Sequence, residues 1–473
     1  MNHYLLESNK EKGNTKKNKK KTDDKKHKNR IFIRNYIYLF FIPLIIFINI
    51  YLSNDNSETL ELSRKIEELE LKIQKMQKET IKKKVKIAFL SQHYLNGISR
   101  FLSILSGLLL KTGKYDVYLI RELETNVDFI YNKKIKCYTL TMDYESFKDF
   151  EEENDIDIYI FNNEISNVID LYHSFGKKVI EIYHGTFLSS AFRNNPLGYR
   201  PWKDFYKLDA FVHIIPDDYW IYKKFGFNNT IYIPNVNTFE SKNTPSSPLT
   251  NKNLLMVGRV DDKIKGAKYG LYAMAEIAKE IPDARLTIIG SKPPQELKDI
   301  IKELKIQDKV DYSGFSINVT EYYLNTSVLL VTSVTDSCPM VINEGKAHGL
   351  PIVAFNIDYS PCYQSGVIKV EMFDYIAMAE EYIKLLQNYE YRKEKGEEAK
   401  LSLFNYETND EIVEIWDNLF QAIINGKEDF NKLQKKFEKK YYNRILDKEH
   451  LEKHITIMHN NLMNILNVIH LKI

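Results

Sequence analysis

Two short stretches of this chain hold residue types that bind an anionic, hydroxyl-rich ligand. The first follows the apolar run LLMVG. Gly258 ends that run, Arg259 comes next, then Lys265–Gly266, and AKYGLYAMAEIAKEI takes a helical pattern. A glycine at a strand end lets a ligand approach the backbone closely. Arg259 offers a planar fork of donors and Lys265 a point charge. The helix N-terminus adds backbone N–H groups. Together they suit a diphosphate, although cations beside a loop are also ordinary solvated surface groups.

The second stretch is TDSCPMVINEGKAHGLPIVAF, Thr335 to Phe355. It lies between the strand-like runs VLLVTS and PIVAF. Asp336 and Glu344 stand eight positions apart. Pro339 suits the first turn of a helix, so Asp336 falls in the loop before it and Glu344 inside it. Gly349–Leu350–Pro351 ends the helix. One carboxylate at a helix mouth and one a turn or two inside can grip separate hydroxyls of one ligand. The stretch Cys338–Pro339–Met340–Val341 brings backbone N–H groups toward an anion. An N-cap and a surface glutamate are the plainer reading of the same pair.

Both stretches need a scaffold that presents loops at strand ends, and the flanking pattern supplies one. VKIAFLS, YDVYLI, IDIYIF, KVIEIY and AFVHII alternate with helical stretches such as SRFLSILSGLLLKTG between Val85 and Ile215. The alternation restarts with NLLMVG, ARLTIIG, KVDYSG, VLLVTS and PIVAF. Strand–helix alternation of this kind reads as an α/β fold with doubly wound parallel sheets. The polar stretch Thr238 to Lys252 reads as a linker. The expected organisation is therefore a Rossmann-like domain over 85–237, a linker over 238–252, a second Rossmann-like domain over 253–404, and C-terminal helices over 405–473. Ligands bind at the carboxyl ends of such strands, here in a cleft between two domains.

In their order and spacing, the two stretches, with PDARLTIIGS and VDYSGF between them, resemble the retaining glycosyltransferases of family 4 (glycosyl transferases group 1), which have the GT-B fold. The resemblance covers about Val85 to Ala422 and is strongest from Leu254 to Phe355. It implies that Arg259 and Lys265, with Gly258 and Gly266, hold the donor diphosphate. It implies that Glu344 holds the nucleotide ribose and that Asp336, where the family more often has Glu, contacts donor-sugar hydroxyls. In the first domain, Asn96–Gly97–Ile98 matches the glycine-rich loop facing the donor, with Asn96 in place of the first glycine and Gly97 retained. His184–Gly185 matches the family's cleft histidine, which makes His184 the third catalytic candidate beside Asp336 and Glu344. IPNVN, Ile233 to Asn237, resembles the segment closing the first domain. The implied partners are a nucleotide sugar, UDP more often than GDP, and a glycan, lipid-linked or protein acceptor, as in polysaccharide biosynthesis. No cofactor or metal is implied. Asp155 and Asp157 spell D-x-D but alternate along a strand, and no covalent nucleophile stands out. A catalytically inactive GT-B-like binding or scaffold protein at a membrane is the rival reading. The matched Arg259, Lys265, Glu344 and His184 argue against it.

The rest of the chain sets the context. Met1 to Arg30 carries eleven Lys and Arg against four Asp and Glu, so the net charge of +3 conceals a basic tail and a slightly acidic remainder. The tail is too polar to offset the cost of ordering and reads as disordered. A charge confined to it gives no reason to expect a nucleic-acid-binding fold. Ile31 to Leu52 is predominantly apolar, with one charge, Arg34. As a helix it is about 33 Å long, enough for a hydrocarbon core of about 30 Å, so a single transmembrane helix over 31–52 is expected. Positive charge before the span places the N-terminus in the cytosol. Leu62, Ile66, Leu69, Ile73 and Met76 form a heptad seam. It reads as a coiled-coil stalk over 54–82 and a route to a homo-oligomer, or as one amphipathic helix lying on the catalytic part. Leu451, Ile455, Met458, Leu462, Ile465 and Ile469 repeat the spacing, with packing on a domain and self-association equally open. Cys137, Cys338 and Cys362 are too few and scattered for a disulfide framework or a metal site.

Overall fold

Strands buried on both faces must be apolar at successive positions, and VKIAFLS is such a run. Ile87 and Phe89 enter one core and Ala88 and Leu90 another, on opposite faces of one sheet. The same division holds for Ile158 and Ile160 against Tyr159 and Phe161. The computed structural model describes residues 84–91, 97–121, 132–141, 143–162, 169–186, 202–224, 226–239, 243–260, 262–316, 318–357, 361–363, 365–441 and 456. These belong to one compact unit, Lys84–Ile473.

In the first lobe, β1 (Val85–Ser91) leads to α1 (Gly97–Lys111), β2 (Tyr115–Arg121), β3 (Lys136–Thr139), α2 (Tyr144–Asn154), β4 (Ile158–Asn162), α3 (Ile169–Ser174) and β5 (Lys178–Tyr183). Then come α4 (Trp202–Phe205), β6 (Ala210–His213), α5 (Pro216–Lys224) and β7 (Thr230–Tyr232). All seven strands are parallel, in the order β3-β2-β1-β4-β5-β6-β7.

The second lobe repeats the plan. It holds β8 (Asn253–Gly258), α6 (Asp262–Lys265), α7 (Ala267–Glu280), β9 (Arg285–Gly290), α8 (Gln295–Glu303), β10 (Val310–Gly314) and α9 (Thr320–Leu324). After these come β11 (Val328–Val331), α10 (Met340–Ala347), β12 (Ile352–Phe355), β13 (Ile368–Val370), α11 (Tyr375–Gln387) and α12 (Tyr389–Ser402). Its parallel order is β10-β9-β8-β11-β12-β13. Each sheet reverses its winding once, between β1 and β4 and between β8 and β11, and a doubly wound sheet opens a crevice there.

The stretch from Thr238 to Lys252 is more than a solvated linker. Ser247 is buried, and its hydroxyl donates to Thr326 O at 2.5 Å. Leu249 is buried, and its carbonyl accepts two bonds from the Arg392 guanidinium.

The chain then returns to the first lobe. Thr408 and Glu411 close a capping box on α13 (Asn409–Asn425), a reciprocal bond pair that satisfies the helix's first donors. Asp417 on this helix accepts from Lys114 at 2.7 Å and from the Tyr115 hydroxyl. Asn409 and Asn237 exchange backbone–side-chain bonds of 2.8 and 2.9 Å. In α14 (Lys427–Tyr441), Gln434 donates to Asn228 O and Thr230 O. The helices over 409–441 pack on the first lobe. The repeat from Leu451, the apolar run Ile31 to Leu52 and the seam Leu62 to Met76 lie outside the described residues. Among the described residues no helix is long and apolar enough to cross a membrane.

The cysteine expectation needs correcting. Cys338 and Cys362 form a disulfide, Cα–Cα 5.9 Å across a 24-residue separation, and Cys137 is free and exposed. Cys338 precedes α10 and Cys362 sits in the short turn after β12. The strand therefore returns the chain to the mouth of the helix it came from. No spacing rule in the sequence anticipates that pairing.

Candidate active site

The sequence candidates gather at the winding reversals of the two sheets. Gly97 opens α1 after β1, and His184 follows β5. Gly258 ends β8 and Arg259 follows it, and Asp336 lies between β11 and α10. Backbone geometry shows why glycine stands at three positions. Gly266 has φ +58°, and a Cβ there would sit 2.4 Å from Thr332 O. Gly258 has φ +136° and Gly290 φ +149°, and a Cβ on Gly290 would meet Gly258 O at 1.6 Å. The ends of β8 and β9 are thus in backbone contact, which fixes the loop that carries Arg259.

Lys265 ends the one-turn α6, and its carbonyl accepts from the Thr332 hydroxyl at 2.8 Å. Its ammonium pairs with Asp336 at 2.5 Å. The cation and the first carboxylate therefore share one point at the mouth of α10. That helix starts at Met340, with Pro339 as the residue before it rather than in its first turn, and no side chain caps it. Its first N–H groups, including those of Met340 and Val341, face the same mouth. Arg259 is exposed at the end of β8.

Glu344 is 1% exposed, one turn inside α10. A buried carboxylate requires donors and a countercharge, and three side chains supply them. The Thr238 hydroxyl donates to Oε1 at 2.8 Å and the Tyr323 hydroxyl to Oε2 at 2.7 Å. Arg100 on α1 brings Nε within 3.3 Å of Oε1. Burial and the Glu344 charge raise the Tyr323 phenol well above its ordinary range, so it stays a donor. His348 stacks on Tyr323 and donates from Nδ1 to Glu344 O at 2.8 Å.

His184 lies across from Asp336. The Ser337 hydroxyl donates to His184 O at 2.5 Å, which ties the loop before α10 to the first lobe. The imidazole meets Asn162 at 3.0 Å and the edge of Phe101. Burial pushes its pKa down to about 3, so the ring is neutral at physiological pH. Behind the site, Lys346 on α10 is fully buried. Burial, with the nearby Lys369 charge, lowers it to about 7. Its ammonium donates to Cys362 O and Ser365 O. The disulfide and this lysine both fasten the segment after β12 to α10. Among the described residues, no three His, Cys, Asp or Glu side chains converge as a metal site.

Residues 237–402 match the family described as glycosyl transferases group 1. The Anabaena protein HepE, solved with UDP and glucose, superposes with a TM-score of 0.61 at 13% identity, over 72% of this chain and all of its own. The two lobes have the GT-B fold. Among curated relatives, a glycosyltransferase of Haemophilus influenzae is 41% identical over 135 residues, 28% of this chain and 38% of that protein. The N-acetyl-alpha-D-glucosaminyl L-malate synthase of Bacillus anthracis is 27% identical over 173 residues, 35% of this chain and 45% of the relative. The chain thus spans less than half the length of these two relatives.

In this GT-B frame, Arg100, Asn162, Thr238, Tyr323 and Ser337 join the site without having been singled out in the sequence. Arg100 offered a faint signal, a cation three positions after Gly97 at the start of a helix. Thr238 falls in the polar stretch that reads as a linker, and Tyr323 lies on a five-residue helix with too few turns to show which face is buried.

Proposed function

We propose that this chain is a retaining, family 4 glycosyltransferase that moves a sugar from a nucleotide diphosphate donor, UDP foremost, to a glycan, lipid-linked or protein acceptor without a metal ion. The observation that carries the reading is the meeting of Lys265 and Asp336 at the uncapped mouth of α10, with Glu344 buried behind it. A diphosphate entering there takes Lys265 from Asp336, and Asp336 turns to hydroxyls of the transferred sugar. Lys265, Arg259 and the N–H groups of α10 then stabilise the charge that develops on the departing diphosphate. Glu344, oriented by Thr238 and Tyr323, accepts from the ribose hydroxyls. His184 stands over the sugar as a neutral ring. The resemblance to family 4 implies retention with departure and attack on the front face of the sugar, and no side chain is assigned as a covalent nucleophile. The UDP and glucose in the HepE structure and the glucosaminyl group in the B. anthracis relative's name support this donor class.

The test is UDP release from UDP-glucose and UDP-N-acetylglucosamine, with and without EDTA. Slow release that EDTA leaves unchanged is expected. Absence of both UDP binding and release, or strict dependence on added metal, defeats the reading. The proposal includes a membrane anchor, which rests on the sequence of Ile31 to Leu52 and the basic tail before it. The catalytic lobes then lie across the membrane from a cytosolic N-terminus. Protease protection on sealed vesicles tests this placement. Digestion of the lobes from the cytosolic side would refute the single span and leave the enzymatic reading intact.

A further inference from the structure

The hydrogen bonds around Asn162 have a fixed direction. Asn162 ends β4 and is 4% exposed. Its side chain bridges two groups, Leu90 O on β1 at 3.0 Å and His184 Nε2 at 3.0 Å. A backbone carbonyl only accepts, so the amide NH2 must face Leu90. The reverse placement would set two acceptors against each other. Asn162 Oδ1 therefore faces His184, and Oδ1 also only accepts. Nε2 of His184 must carry the proton, and in the neutral ring Nδ1 is then the acceptor.

We propose that Asn162 is a positioning residue that locks His184 in the Nε2–H tautomer, so that the imidazole serves the donor sugar as a hydrogen-bond acceptor and not as a proton shuttle. A histidine poised as a general base has a carboxylate on its far nitrogen to stabilise the imidazolium that forms. An amide oxygen provides no such charge. The lowered pKa agrees with this, since a ring that resists protonation is a poor base near neutral pH. Two charges on described segments beside the ring are already paired. Arg100, beside Phe101 on α1, is held by Glu344, and Asp336, beside Ser337, is held by Lys265. The role given to the sugar rests on the donor reading above. The tautomer rests on geometry alone.

Nitrogen NMR of the full chain labelled at histidine reads the tautomer directly, with His184 assigned by the signals lost in His184→Gln. The neutral Nε2–H form is expected from about pH 8 to about pH 5. An Nδ1–H ring, or an imidazolium within that window, overturns the proposal whatever the substrate. Asn162→Ala should mix the tautomers and lower kcat for UDP release from UDP-glucose about tenfold, as expected for one lost orienting bond. UDP affinity by calorimetry should stay within about twofold of wild type, since the donor reading gives this ring to the sugar and not to the nucleotide. Asn162→Asp keeps an acceptor toward Nε2–H and adds a charge, which raises the ring's pKa. Its activity should fall as pH drops through that new ionisation, because an imidazolium has no lone pair to offer, while the wild type stays flat. Wild-type kcat and an unmixed tautomer in Asn162→Ala, with UDP bound normally, would overturn the proposal. Loss of UDP binding in the wild type would instead defeat the donor reading, with the NMR result still deciding the tautomer.

Discussion

Arg100 of the first lobe and Glu344 of the second form an ion pair, Nε to Oε1 3.3 Å, in which the carboxylate is almost fully buried and the guanidinium about one-third exposed. The pair bridges the lobes, and Arg100 adds a countercharge beside the two hydroxyls that donate to Glu344. Removing one partner of a buried pair leaves the other uncompensated. The exposure of Arg100 discounts the effect, and Arg100→Ala should cost about 1–2 kcal/mol. The double variant Arg100→Ala with Glu344→Gln should recover most of that, because the amide needs no countercharge. Urea denaturation of the four proteins of the cycle measures the coupling. A loss in the double variant equal to the sum of the two single losses would show that the pair carries no interaction energy.

Lys265→Ala should reduce UDP release about 10²-fold or more, the scale of losing one group that stabilises charge in a transition state. It also removes the Lys265 charge from beside Asp336, whose carboxylate would then repel the diphosphate, so nucleotide affinity should drop with kcat. Lys265→Ala together with Asp336→Asn should regain part of the affinity but not the rate. Steady-state kinetics and calorimetry separate the two. Full activity in Lys265→Ala would remove this residue from the site.

How much of this was legible in the sequence follows from how far apart the interacting residues lie. Gly258, Arg259, Lys265 and Gly266 form a local motif after a clear strand, so they are legible as a group from the sequence alone. The partners of Glu344 are not local. Tyr323 is 21 residues away and Thr238 is 106, and neither type at such a distance carries a pattern. The edge strands β3, β7 and β13 have four, three and three residues, too few for a periodicity to register. The return of α13 to the first lobe was likewise invisible, since the amphipathic face of that helix says it will be covered but not by what. Trp416, Leu419, Phe420 and Ile423 meet the core of the first sheet, and Tyr115 packs edge-on against Phe420.

Gly290→Ala tests the backbone contact between β8 and β9. The added Cβ would lie 1.6 Å from Gly258 O, so a strand end must move. A loss above about 3 kcal/mol is expected, as for severe overpacking combined with an unfavourable φ. Because Gly258 carries Arg259, nucleotide affinity should fall as well. Gly113→Ala is the control. It has φ +71° and nothing within 4 Å of its Cβ, so it should cost only about 1 kcal/mol of backbone strain and leave the nucleotide site unaffected. Thermal melts and UDP calorimetry on both variants check the contrast. Equal effects would mean that the strand ends tolerate separation.

His213 gives a pH dependence whose sign is fixed. It is fully buried on β6, stacked on Tyr222 with centroids 4.7 Å apart and edge-on to Phe211. Among the described residues neither ring nitrogen has a hydrogen-bond partner. Desolvation pushes its pKa down to about 3. The native ring stays neutral below neutral pH, while the unfolded ring takes up a proton near its ordinary pKa of about 6.5. Between about 6.5 and about 3 the unfolded state binds more protons, so stability rises with pH in that window and is lost as the medium is acidified. The slope from this ring alone is about 1.4 kcal/mol per pH unit, and His184, also lowered to about 3, adds a second contribution of the same sign. His213→Phe fills a similar volume and removes the titration. It should be neutral or stabilising at pH 7, because an unsatisfied polar ring is replaced by an apolar one. It should also flatten the acid limb by about one proton, which urea denaturation between about pH 4 and about pH 7 would show. An unchanged limb in this variant would mean that His213 reaches a proton acceptor in the native state.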